Sequence, residues 1–301
     1  MAPPRSTLLL LLVALPAARA LLRRLRPLRR ESSSCGVIVK FGGSAVTQKA
    51  AFETLAEASL TSAAAAVAAS GKQTVVIHGA GSFGHFQARE HGVSKGVSNS
   101  AFSWRGFALT RASVCRLNGL VVAALLDAGV SAVGVPPFPT WVTRGKGIVP
   151  HAAAAAGLER ICALLDSGMT PVLHGDAVLD EVQGASILSG DTLMIIAARA
   201  LRPRLAVFMT DVAGVYDRPP TEDGATLLAR IAVASDGTLQ RATATSTAEH
   251  DVTGGLAAKL DAAAAIAKEG VPVVIVQVDT EHALTALRGE IPKVCTLVER
   301  A

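Results

Sequence analysis

Twice between residues 37 and 85 a short run of β-branched and apolar residues breaks at a glycine cluster and passes into helix-forming sequence. Val37-Ile38-Val39-Lys40-Phe41 runs into Gly42-Gly43-Ser44, and the alanine-rich stretch 50–70 then predicts a helix. Thr74–His78 repeats the pattern, breaking at Gly79-Ala80-Gly81-Ser82-Phe83-Gly84-His85. Further along, a helix is expected over 102–128, short strands at 132–135 and 171–174, and an alanine-rich helix at 152–166 between them. In the second half a strand at 206–210 ends in Asp211, a helix at 256–268 follows Thr253-Gly254-Gly255, and strands are expected at 273–278 and 294–298. Strands alternating with helices predict an α/β fold: a three-layer αβα sandwich around a largely parallel central sheet. Ligands of such sheets bind beyond the carboxyl ends of the strands.

Composition agrees. Half of the 301 residues are apolar and only 4% are aromatic, so the core must be built from Ala, Val, Leu and Ile. The formal charge of +5 is matched by Arg23, Arg24, Arg26, Arg29 and Arg30 alone, which leaves the remainder close to neutral. No basic stripe with interleaved aromatics follows, and a nucleic-acid partner is not expected. Cys35, Cys115, Cys162 and Cys295 are scattered, without metal-ligand spacing, and read as reduced thiols.

The first 34 residues read as an address. Arg5, the apolar run from Leu8 to Leu15 and Ala18-Arg19-Ala20 follow the pattern of a secretory signal, too short for a comfortable membrane span. The stretch 21–34 is Arg-rich, then Ser-rich, the composition of a transit peptide. The tandem favours a plastid, with mitochondrial, endomembrane or cytoplasmic destinations as alternatives. Residues 1–34 are therefore expected to be a targeting segment and 35–301 a single domain, with no stable membrane span after the segment.

Glycine turns between strand and helix bring bare backbone N–H groups and a helix N-terminus toward an anion. Gly42-Gly43, Gly79 to Gly84 and Gly254-Gly255 together suggest a site for several phosphates. The Walker A pattern and the dinucleotide fingerprint are both missing, so neither of those phosphate-binding folds is indicated.

Lys40-Phe41-Gly42-Gly43-Ser44 resembles the opening of the amino acid kinases, and Ser189-Gly190-Asp191, the run Thr210 to Asp217, and Thr253-Gly254-Gly255 through Lys259 resemble their later motifs, in order. Within that superfamily His78 to His85, Val172-Leu173-His174-Gly175-Asp176 and Asp217-Arg218-Pro219-Pro220 resemble the isopentenyl phosphate kinases, most closely the plant and algal branch. The likeness runs from about residue 37 to the C-terminus, with minor departures at Ala213 and Leu256. It implies the amino acid kinase fold, an acceptor-binding N-terminal part, a nucleotide-binding C-terminal part and a homodimer. The implied reaction converts ATP, with Mg²⁺, and isopentenyl phosphate into ADP and isopentenyl diphosphate. A phosphate monoester is already anionic at neutral pH, its second pKa lying near 6, and needs no general base. The obstacle is repulsion between anions, which positioning and positive charge overcome.

On this resemblance Lys40, His85, Asp191 and Lys259 are the catalytic candidates, with no metal ligand among the side chains. Lys40, Gly42, Gly43, Ser44, Lys49, Gly81, Asp211, Tyr216, Gly255 and Lys259 would bind ATP. Gly79, Ala80, Gly84, His85, Gly175 and Asp176 would bind the acceptor, His85 holding its phosphate. Lys40 closes a buried strand, where an ammonium is expensive unless it meets an anion. Lys49 competes with a reading as a solvated helix-start lysine, and Asp191 is read as orienting a lysine or an amide. His78 and His174, at strand ends, are read as structural, and His91, His151, His250 and His282 as ordinary. Phe83 and Phe86 line an apolar pocket or belong to the core. Carboxylate, carbamate, nucleotide or phosphonate acceptors remain open within the fold, as does a non-catalytic binding role.

Overall fold

The computed structural model describes residues 35–145, 147–149, 152–241 and 254–301. The targeting segment expected over 1–34, together with His151, His250 and Thr253, lies outside the described residues.

The chain runs β1 (Val37–Phe41), α1 (Gly43–Val46), α2 (Glu57–Ser70), β2 (Thr74–His78), α3 (Gly81–Glu90), α4 (Trp104–Asp127), β3 (Ala132–Gly134), β4 (Thr143–Arg144), β5 (Gly147–Ile148) and α5 (Ala152–Asp166). It continues through β6 (Thr170–His174), β7 (Asp176–Asp180), β8 (Gly184–Leu188), α6 (Gly190–Leu201), β9 (Leu205–Thr210), β10 (Arg230–Val233), β11 (Leu239–Arg241), α7 (Gly254–Lys268), β12 (Val273–Gln277), α8 (Glu281–Leu287) and β13 (Thr296–Arg300). Among the described residues nine strands form one sheet in the order β11-β10-β13-β12-β9-β1-β2-β6-β3. Pairing is parallel from β12 to β3, and antiparallel where β12 meets β13 and where β10 meets β11. The parallel αβα expectation holds, with this antiparallel margin added.

Side-chain alternation along the strands sorts the core into two layers. Ile38, Ile77, Leu173, Phe208 and Ile275 face helices α5, α6 and α7, through Ile161, Met194 and Ile266. Val39, Val76, Val172, Val207 and Val276 face α2, α4 and α8, through Leu60, Leu117 and Leu287. Both faces are covered, which is why β1, β2, β6 and β9 read as largely apolar runs. On β1 the same alternation turns Lys40 toward α6. Helix α4 is long and apolar enough to cross a bilayer by length and composition. Its Val114, Leu117, Val121 and Leu125 are buried in this core.

The helix expected from residue 50 begins only at Glu57. Residues 49–53 form turns, with Glu53 at a φ of 50°, and Thr47 bridges to Leu55. Bonds between Thr54 and Ser82 tie this loop to α3 and override its alanine-rich, helix-favouring composition. A second, four-stranded sheet, β5-β4-β7-β8, was not expected. Its β7–β8 hairpin closes on Asp180, whose carboxylate accepts from the Val182 and Gln183 amides at 2.9 and 3.0 Å. All four cysteines are free.

Candidate active site

The glycine loops meet at the carboxyl ends of β1, β2 and β6. The Gly42 N–H donates to the Met209 carbonyl at the end of β9, 2.9 Å away, which pins the first loop across the β1–β9 seam. At two positions close approach demands the absence of a Cβ. One on Gly43 would stand 2.9 Å from the Gly81 backbone, and one on Gly79 would stand 2.8 Å from the Gly43 amide nitrogen. Thr47 clamps the arrangement, donating to the Gly43 carbonyl at 2.7 Å and accepting from the Ser82 amide at 3.0 Å. Gly175 sits against the amide nitrogens of Gly190 and Ala80. Gly255, in the first turn of α7, is open on its Cβ side.

Lys40 is 7% exposed and donates to Asp191 Oδ1 at 2.7 Å, joining residues 151 apart in sequence. Asp191 lies in the first turn of α6, where Ser189 caps the helix and the helix dipole favours an acid. Its role as an orienting partner of a lysine fits this geometry. A Cβ on Gly190 would press on Lys40 Cε at 3.1 Å, so glycine leaves the lysine stem its path. Lys40 Nζ also sits 5.7 Å from the centre of the Phe208 ring.

Lys259, in the second turn of α7, donates to Thr210 Oγ1 at 3.1 Å, and that hydroxyl donates to Asp211 Oδ1 at 3.0 Å. Burial, and then the nearby Lys40 ammonium, push the Lys259 pKa down to about 8, while Asp191 and Asp211 pull it up. Lys49, exposed in a turn, lies 3.4 Å from Asp211 Oδ2. Partial burial would raise the Asp211 pKa, but bonds from Thr210 and Ser44 and the Lys49 charge hold it below its usual value. Three ammonium groups thus face two carboxylates, which leaves an excess of positive charge beside the glycine amides.

His85 projects from α3 just past its first turn and is exposed. The protein around it, then Lys40 and Arg89, hold its pKa below the ordinary 6.5. Tyr216 is half-buried and bridges to Leu227 in the loop after β9.

Two expected acceptor ligands are placed otherwise. Gly84 is buried under α4, where a Cβ would meet Ala80 and Val114, so it serves helix packing. The Asp176 side chain is 0% exposed and its carboxylate is taken up by Arg111, at 3.1 Å through Nε and 3.2 Å through Nη2. A carboxylate so engaged has its charge offset by Arg111 and offers no hydrogen-bond donor to an anionic acceptor. Arg111, stacked 4.3 Å over the Phe138 ring, escaped the sequence reading because it sits mid-helix without a motif. Phe83 is core, and Phe86 packs edge-on against Phe52.

A model of the amino acid kinase family matches residues 36–277. The chain belongs to the amino acid kinase family. Within the family, isopentenyl phosphate kinase of Arabidopsis thaliana is 45% identical over 230 residues, 72% of this chain and 68% of that protein. Isopentenyl phosphate kinase of Methanothermobacter thermautotrophicus is 35% identical over 243 residues, 78% of this chain and 88% of that one. An X-ray structure of isopentenyl phosphate kinase, 30% identical, superposes with a TM-score of 0.72 over 87% of this chain and 99% of its own. Among family members with other acceptors, glutamate 5-kinase of Streptomyces avermitilis is 32% identical over 142 residues, 46% of this chain and 35% of its own.

Proposed function

We infer that this amino acid kinase transfers the γ-phosphoryl group of ATP to isopentenyl phosphate, releasing ADP and isopentenyl diphosphate. The observation that carries the reaction class is the convergence of Lys40, Lys49 and Lys259 on the glycine loops at the strand ends. The acceptor rests on the 45% identity to the plant isopentenyl phosphate kinase.

The acceptor oxygen is anionic at neutral pH, so the site needs cations rather than a base. Lys40, oriented by Asp191, and Lys259, oriented by Thr210, stand where charge passes from ATP to acceptor. Burial first, and then repulsion from the Lys40 ammonium, disfavour the charge on Lys259 and lower its pKa. Arrival of the nucleotide phosphates relieves that repulsion, so the binding partner supplies the missing counter-charge. The Gly43 and Gly81 loops would receive the nucleotide, with Ser44, Asp211, Tyr216 and Gly255 at its border. His85, with Gly79, Ala80 and Gly175, would hold the acceptor phosphate.

Mg²⁺ fits this chemistry as part of the nucleotide. No group of three His, Cys, Asp or Glu side chains is gathered for a metal among the described residues, and Asp191 and Asp211 already pair with lysines. The ion would ride on the triphosphate oxygens, where Mg²⁺ commonly binds with few protein ligands. When bound it would offset part of the negative charge of the nucleotide phosphates. We further propose that the enzyme is a homodimer, that residues 1–34 direct it to an organelle, a plastid first, and that the chain beyond them lies outside any membrane.

A coupled ADP-release assay with isopentenyl phosphate, glutamate, carbamate, uridylate and fosfomycin tests the reading. Turnover is expected with isopentenyl phosphate. A kcat/KM higher for any of the other four would move the assignment elsewhere in the family.

A further inference from the structure

His78 closes β2, His174 closes β6, and the two are register partners across the parallel pair. Both are fully buried, their rings stacked with centroids 5.5 Å apart and planes 25° from parallel. Each Nδ1 lies beside the carbonyl of the glycine that follows: His78 to Gly79 at 2.9 Å, His174 to Gly175 at 3.0 Å.

The tautomer of His78 follows from its other nitrogen. Asn118 Nδ2 on α4 lies 3.1 Å from His78 Nε2 and 3.3 Å from the Val172 carbonyl oxygen. A carbonyl can only accept, so the Asn118 group facing it is the NH₂, and that NH₂ donates to Nε2 as well. His78 Nδ1 therefore carries the proton and donates to the Gly79 carbonyl. The other end of the Asn118 amide is aimed at Gly134, where a Cβ would come within 2.5 Å of Oδ1. Burial, then the neighbouring His174, push the His78 pKa down to about 3, so the ring stays neutral through the working range.

A trans peptide points its C=O and its N–H in opposite directions. With the Gly79 carbonyl held toward His78, the Ala80 N–H points away from it, and a Cβ on Gly175 would stand 3.7 Å from the Ala80 nitrogen. That N–H meets no acceptor among the described residues. An unmet backbone donor at the carboxyl ends of parallel strands, at the N-cap of the helix that carries His85, suits a phosphate oxygen.

We propose that His78 is a positioning residue for the acceptor phosphate: it locks the Gly79–Ala80 peptide so that the Ala80 N–H stands as a preset donor beside His85. The proposal rests on the reading of the acceptor as a phosphate monoester. A donor fixed before the acceptor arrives needs no reorganisation during transfer. His174 backs the His78 ring and pins the Gly175 carbonyl in the same manner.

Two variants of the full chain test this by steady-state kinetics, with isopentenyl phosphate and ATP varied separately. His78→Phe keeps the ring volume and removes the donor, whereas His78→Asn places an amide N–H near the position of Nδ1. Expected is at least a tenfold fall in kcat/KM for isopentenyl phosphate in His78→Phe, with the ATP KM within threefold of wild type and His78→Asn recovering most of the loss. ¹⁵N spectra of histidine-labelled wild type should show His78 neutral with the proton on Nδ1. Wild-type acceptor kinetics in a folded His78→Phe protein would overturn the proposal, and so would a proton on Nε2. Equal losses toward ATP and acceptor in both variants would reduce His78 to a packing residue and overturn it too. Should His78→Phe fail to fold, His78→Asn decides: retained kinetics support the role and a tenfold loss overturns it. Wild-type turnover of isopentenyl phosphate, measured alongside, isolates the functional reading, and the tautomer stands or falls without it.

Discussion

At the scale of single residues, Lys259 carries a tension between stability and turnover. Its pKa of about 8 lies below the ordinary 10.5 because burial and Lys40 disfavour the ammonium. Between those two pH values the unfolded chain binds more protons than the folded one, so this residue makes stability rise with pH there and costs stability below pH 8. Lys259→Met should therefore raise the melting temperature of the ligand-free protein by about 2–4 °C for each kcal/mol relieved. The same change should lower kcat on the order of 10²–10³-fold, the loss of a charge that acts on the transition state. Calorimetry and steady-state kinetics check the two halves. A raised ATP KM with unchanged kcat would assign Lys259 to ground-state binding. His85 gives a different signature. Its pKa is held below 6.5 by surrounding protein, Lys40 and Arg89, so the free enzyme at pH 7 carries a neutral ring. His85→Ala should lower kcat/KM for isopentenyl phosphate by roughly 10²-fold and His85→Gln should recover part of it, since an amide N–H replaces a neutral donor. No descending limb in kcat/KM between pH 6.5 and 8 should trace to His85. A wild-type limb that vanishes in His85→Gln would show that the imidazolium is the working form.

At the scale of elements, the Arg111–Asp176 pair ties α4 to β7, and so joins the second sheet to the main body. Removing one partner of a buried ion pair leaves the other charge stranded, typically at a cost of about 3–5 kcal/mol. Asp176→Ala should lower the denaturant midpoint accordingly. A variant of wild-type stability with a raised acceptor KM would instead return Asp176 to the substrate. The same pair shows what the sequence could and could not disclose. Strands such as β1 and β9 were legible because both faces are covered and almost every position is apolar. Lys40 stood out as the exception in one of them. The glycine turns were legible because they sit between strand and helix, and Asp191 and Lys259 because the motifs around them resemble those of the amino acid kinases. The β7–β8 hairpin hid itself because Val172-Leu173-His174-Gly175-Asp176 runs from one sheet into the other with only a glycine between. The 49–53 turns were missed because long-range bonds from Ser82 set them. Gly84 and Asp176 lie inside motifs whose neighbours reach the site, and sequence proximity could not tell which way each one faces.

At the scale of the whole molecule, every described element of the site lies downstream of residue 34, and the family match begins at residue 36. Protein beginning at Ser34 should keep wild-type kcat and KM in the coupled assay, and loss of activity in a folded shortened protein would show that the leading segment belongs to the enzyme. The strand order has a further consequence. β1, β2, β6 and β3 lie on one side of the seam and β9, β12, β13, β10 and β11 on the other, so each half of the polypeptide builds its own half of the sheet. Lys40 comes from the first half, while Asp211 and Lys259 come from the second. A ribosome that has finished only the first half has made nothing that can spend ATP. On the roles proposed above, turnover requires both halves of the sheet to be made and docked, which makes activity a report of complete synthesis.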